Sequence, residues 1–147
     1  MKRNMIITIL SYSLSILFVY AASAKAMVYT DFMADIAKSP LLVNYNKAIL
    51  APGILGLEFL TVILLQFKAT LKLGFYLSSF LMLMFTLYLG TLYFFYTNIP
   101  CSCGGVLGRM PYPVHIIFNL LFTIFSFIGT FLCSKSVSRQ QQTRQMP

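Results

Sequence analysis

Long apolar runs alternate with short polar or turn-rich stretches along this chain. Four runs stand out, from about Met5 to Ala24 with apolar character reaching Tyr29, Ala48 to Phe67, Leu73 to Thr97, and Val114 to Cys133. A helix needs about 20 apolar residues to cross the hydrocarbon of a bilayer, and each run meets that length. Backbone groups in hydrocarbon must be satisfied within the segment, so the runs predict helices and not open strands. The third run is long and ends in a crowd of aromatics (Tyr88, Tyr93, Phe94, Phe95, Tyr96), the composition of an interfacial belt on a tilted span.

The stretch between the first two runs has a different period. Phe32, Met33, Ile36 and Ala37 recur at helical spacing opposite Asp31, Asp35 and Lys38. This predicts a short amphipathic helix over the mouth of the bundle, closed by Ser39-Pro40 because proline disfavours helical geometry in the residue before it. The expected architecture is all-α: an integral membrane four-helix bundle over residues 1–133, with this short extracytoplasmic helix between helices 1 and 2. Residues 134–147 are polar, Gln-rich and basic, and are expected to form a disordered cytoplasmic tail.

Composition agrees with a membrane class. The 147-residue chain is 59% hydrophobic and only 10% charged, against about 25% charged residues in ordinary soluble domains; its mean hydropathy is +0.80. Eleven Lys and Arg face three acids. The bases flank the apolar runs and form no stripe, so no nucleic-acid partner is expected. With the N-terminus inside, seven bases fall on the inner side (Lys2, Arg3, Lys68, Lys72, Lys135, Arg139, Arg144) and four on the outer (Lys25, Lys38, Lys47, Arg109). That bias predicts a multi-pass membrane protein with both termini in the cytoplasm, which in a bacterium makes the membrane the cytoplasmic (inner) one. The first run also resembles a signal peptide, with Lys2-Arg3 before it and Ala22-Ser23-Ala24 after it. It is long for that role and apolar character resumes at Ala26, so an uncleaved span is expected.

The candidate chemistry is sparse. Cys101 and Cys103, one residue apart, lie in the loop between the third and fourth runs, on the extracytoplasmic side in this orientation. There a thiol pair can be oxidised. A disulfide across one intervening residue closes a strained ring that is easily reduced, which suits exchange better than stapling. Gly104 and Gly105 leave room for a partner to approach. His115 begins the fourth run, with Asn119 on the same helical face. The imidazole is a candidate base for a thiol, or a helix-packing group. Two sulfurs and one histidine fall short of the usual four ligands of a structural metal site, so no metal is expected. Glu58 is the only acid within a run, and Lys25 is its natural partner if the first helix continues far enough. Pro52, Gly53 and Gly56 precede Glu58 at a spacing that allows close helix packing. Cys133 is on the wrong side to join the loop pair and reads as a packing residue.

The order of these features resembles the MauE/DoxX-like family of four-helix membrane proteins. The landmarks are Ala22-Ser23-Ala24-Lys25, Phe32, Ser39-Pro40-Leu41-Leu42, Ala51-Pro52 with Glu58, Cys101-Ser102-Cys103-Gly104, and His115-Ile116-Ile117-Phe118-Asn119. MauE-type members often carry phenylalanine after the second cysteine, where this chain has Gly104. The resemblance implies extracytoplasmic disulfide chemistry, with a thioredoxin-like partner, in maturation of a methylamine dehydrogenase-like enzyme. It also makes a quinone a candidate electron sink, although the Cys-x-x-Cys motif of disulfide-forming quinone reductases is missing. The resulting expectation is a membrane protein that exchanges disulfides through Cys101 and Cys103. Two other readings stand beside it: a non-catalytic assembly or anchor subunit, and a bundle binding a small solute or quinone around Glu58.

Overall fold

The computed structural model describes residues 2–42, 44–95 and 111–144. Its described residues form five helices: α1 (Lys2–Met27), α2 (Tyr29–Lys38), α3 (Lys47–Gln66), α4 (Leu71–Phe95) and α5 (Tyr112–Arg144). Four of them are long and apolar enough to cross a membrane, over Asn4–Met27, Lys47–Gln66, Leu71–Phe95 and Pro113–Lys135. These spans match the four apolar runs to within about three residues at each end, and they make this a multi-pass membrane protein.

Helix starts and stops follow local chemistry. Asn46 caps α3, its side chain accepting a hydrogen bond from the Ala48 amide at 3.0 Å. Pro52 lies in the second turn of α3, where it has no amide to donate to the Ala48 carbonyl, and the helix runs on through it to Gln66. Ser39 ends α2 in extended geometry (φ −70°, ψ 123°), as expected of the residue before Pro40. After Ser134, α5 continues as helix to Arg144. Its Gln, Arg and Lys are good helix formers, and extending an existing helix avoids the cost of nucleation. At 33 residues and 1.5 Å each, α5 is about 50 Å long and outreaches the ~30 Å hydrocarbon layer.

The spans run antiparallel in a ring, α1 beside α3, α3 beside α4, α4 beside α5, and α5 beside α1. Ser11 donates to the Leu65 carbonyl at 2.7 Å and Lys25 reaches Glu58, which fixes the register of α1 on α3. Thr86 meets Thr123 and Ser79 meets Thr130, each pair at 3.0 Å, which does the same for α4 on α5. One end of the ring therefore gathers Lys2, Arg3, Lys68, Lys72 and Lys135, with no acid among the described residues there. The other end carries α2, Asp31, Asp35 and both anchor points, Phe95 and Pro111, of the segment 96–110.

Large apolar residues cover the outside, among them Ile16 (70% exposed) and Phe131 (68%). A soluble monomer rarely leaves so much apolar surface bare; here it is the face offered to lipid. The interior packs Leu14, Phe18, Phe75 and Met82 in one cluster. A second cluster forms where Phe32 and Ile36 of α2 settle on Ala51 of α3. These are the apolar positions from which the amphipathic helix was predicted. Leu14, Phe18 and Ala22 are enclosed, so α1 belongs to the core of the bundle.

Close helix contact falls elsewhere than expected. Gly53 and Gly56 face open space, with nothing within 4 Å of a Cβ placed there. Gly74 is the tight point between α3 and α4, where a Cβ would sit 2.9 Å from the Leu64 carbonyl carbon and the Leu65 nitrogen. On α5, a Cβ at Gly129 would overlap the buried ring of Phe75. Gly129→Ala is expected to cost about 1–3 kcal/mol through overpacking, whereas Gly53→Ala should be neutral or slightly stabilising through helix propensity. Thermal unfolding of both variants in detergent checks the contrast; equal melting temperatures would contradict this packing.

Candidate functional site

Interior polar groups divide into two sets. The first is built on Glu58, just past the midpoint of α3 and wholly enclosed at 0% exposure. Lys25, near the end of α1, extends its long side chain to it, and Nζ donates to Oε1 at 2.7 Å. The same ammonium lies 5.4 Å from the centre of the Phe85 ring on α4, within cation–π range. Three spans thus meet at one charge pair, and α1 does continue far enough to bring Lys25 to Glu58. Glu58 Oε2 has no hydrogen-bond partner among the described residues.

The second set is a polar seam along the inner face of α5. His115, Asn119, Thr123 and Ser126 are buried and recur at intervals of three or four residues, with half-buried Thr130 continuing the row. Opposite them, Thr86 and Ser79 of α4 supply the hydroxyl partners already described. Most of these hydroxyls also bond a carbonyl one turn back in their own helix, such as Thr123 to Asn119 and Thr130 to Ser126. His115 is held at the start of α5, where its amide donates to the Pro111 carbonyl at 3.1 Å.

Across the α2 end, Tyr88 of α4 donates to Ser39 Oγ at 2.9 Å and ties the end of α2 to the bundle. The aromatic pattern predicts Tyr88 in an interfacial belt, but its ring is half-buried and its hydroxyl is used within the protein. Tyr93, Phe94 and Phe95 do face outward.

Of the residues singled out in the sequence, Lys25 and Glu58 are brought together, and His115 and Asn119 share the buried face of α5. Cys101, Cys103 and Arg109 lie outside the described residues, as does Tyr96. Cys133 is a free, buried thiol in the core cluster, near the basic end of the bundle. Met82 is buried while Met27 and Met84 are exposed. Phe85 and the seam below Asn119 were missed by sequence reasoning. The seam had a signal, because Thr123, Ser126 and Thr130 extend the His115–Asn119 spacing down the same helix.

The charge pair makes a stability prediction. Removing one partner leaves an uncompensated buried charge, so Glu58→Ala or Lys25→Ala should cost about 3–5 kcal/mol. The double change Lys25→Met with Glu58→Leu fills the space with apolar groups and should be near neutral or stabilising. Melting temperatures of the three variants in detergent test this; a double variant as unstable as either single one contradicts it.

Comparison with known proteins completes the description. A family model described as methylamine utilisation protein MauE matches residues 3–132, which takes in the first three spans, the cysteine loop and most of the fourth span. No curated protein and no solved structure matches the chain. With that match covering most of its length, this chain belongs to the MauE family.

Proposed function

We propose that this protein carries out thiol–disulfide chemistry at the extracytoplasmic face of a bacterial cytoplasmic membrane, exchanging disulfides through Cys101 and Cys103 with a thioredoxin-like protein. Within methylamine utilisation, which the family description indicates, the exchange serves maturation of an extracytoplasmic, methylamine dehydrogenase-like enzyme. The observation that carries this reading is the separation of charge along the bundle. Basic residues without acids collect at one end, and segment 96–110 springs from the other. The positive-inside bias then puts the basic end and both termini in the cytoplasm and the cysteine pair outside, where thiols can be oxidised.

In the exchange, a partner thiolate attacks one sulfur of a Cys101–Cys103 disulfide. The sulfur–sulfur bond of the loop breaks, a mixed disulfide forms, and the second loop sulfur leaves as a thiolate. The partner's second cysteine resolves the mixed disulfide, so two electrons pass from the partner dithiol to the loop. The same steps in reverse pass them back. Gly104 and Gly105 beside the pair leave a partner room to approach the sulfurs. His115 is the candidate base, anchored in the bundle four residues beyond Pro111.

Thiol trapping in intact cells tests both parts of the proposal. In a Cys133→Ser background, a membrane-impermeant maleimide should label the loop only after reduction. Labelling before any reduction would show free external thiols and count against the exchange. Failure to label after reduction would refute the orientation. Replacing Cys101 and Cys103 together with Ser should leave the thioredoxin-like partner in the wrong oxidation state and abolish maturation; full retention of both would sink the redox mechanism.

A further inference from the structure

We propose that the Lys25–Glu58 pair is a binding site for a single hydroxyl group, carried by water or by an alcohol dissolved in the membrane. The hydroxyl donates to Glu58 Oε2 and accepts from Lys25 Nζ. The site rests on the buried pair alone and not on the proposed thiol exchange.

The argument starts from what the pair leaves unused. An ionised carboxylate is an acceptor only, with about four lone-pair sites on its two oxygens. Here Oε1 takes the hydrogen bond from Lys25, and Oε2 has no partner among the described residues although Glu58 is wholly enclosed. An ammonium has three N–H donors. That of Lys25, with its side chain 7% exposed, makes one hydrogen bond among the described residues and rests beside the Phe85 ring. Among the described residues, donors on Nζ and an acceptor on Oε2 are therefore left unused in the same buried pair. The nearest hydroxyl along α3, that of Thr61, donates to its own helix at the Leu57 carbonyl.

The chemistry of a ligand follows by elimination. A group that satisfies both atoms must donate to an oxygen and accept from a nitrogen. A ketone accepts but cannot donate, a second ammonium donates but cannot accept, and a carboxylate adds repulsion against Glu58. A metal cation would meet the Lys25 charge at close range. A hydroxyl oxygen does both tasks with one atom, and it is neutral, so the charge balance of the pair is kept. Buried ion pairs last in low dielectric only when their remaining lone pairs and protons are satisfied, which is what the hydroxyl does.

Glu58 is the only glutamate in the chain, which makes it a single-site reporter. The full chain is synthesised cell-free with glutamate ¹³C-labelled at the side-chain carboxyl, reconstituted in lipid bilayers and studied by magic-angle-spinning NMR. Protons close to that carbon are read with and without added 1-decanol. A cross-peak to water that disappears in D2O identifies water as the bound hydroxyl. A new, saturable cross-peak to the decanol protons identifies a membrane alcohol. A carbon that sees only the Lys25 ammonium and protein protons under both conditions overturns the proposal. In the Lys25→Met, Glu58→Leu double variant, 1-decanol should no longer raise the melting temperature if the alcohol is the occupant. An unchanged rise would place alcohol binding elsewhere and overturn that assignment.

Discussion

An ammonium inside a membrane bundle has to be met by a carboxylate, and this requirement fixes how α1 lies on α3. Without Glu58, Lys25 would have to reach for the interface; without Lys25, Glu58 would be an isolated charge in a medium that cannot solvate it. Their contact at 2.7 Å therefore acts, with that of Ser11 on the Leu65 carbonyl, as a register pin between the two helices. Phe85 on α4 closes the third side of the pair. The placement of α2 follows, because its connection to α1 begins just beyond Lys25 and its apolar face lands on α3.

Elsewhere the same physics works through weaker groups. Lipid tails are as apolar as leucine, so contact between leucine faces gives little preference for one helix register over another. Discrimination falls to the few positions where a side chain is polar or absent. The Thr86–Thr123 and Ser79–Thr130 contacts mark the α4–α5 seam, and Gly74 marks the crossing of α3 and α4. Gly129 makes room for the Phe75 ring, which turns an absent side chain into a socket for a large one.

Much of this could be read from the chain alone. The four spans followed from length and hydropathy, and the amphipathic helix from its period, because both signals are carried by many residues at once. The Lys25–Glu58 contact was legible because one acid within a span has few partners to choose from. The sides of the spans were not legible. Helices that are apolar all round carry almost no sign of which face meets lipid, so spacing alone pointed to Gly53 and Gly56 as packing residues while the contacts fell to Gly74 and Gly129. Phe85 was hidden for the same reason: in a span crowded with aromatics, nothing in the sequence marks the one that borders a charge.

The anchoring of α4 and α5 also limits distance. Their hydroxyl contacts hold the helices that end at Phe95 and begin with the residue after Pro111, which fixes where the two ends of segment 96–110 leave the bundle. Cys101 lies six residues from Phe95 and Cys103 eight from Pro111. At full extension of about 3.3–3.6 Å per residue, six residues span at most about 22 Å and eight at most about 29 Å, which bounds how far each cysteine lies from its end of the bundle. Under the proposed exchange, a soluble partner meeting these sulfurs would have to come down to the membrane surface and fit its own site against the rim of the bundle. Shape and charge at that rim, including α2 and its two aspartates, would then be part of what selects the partner.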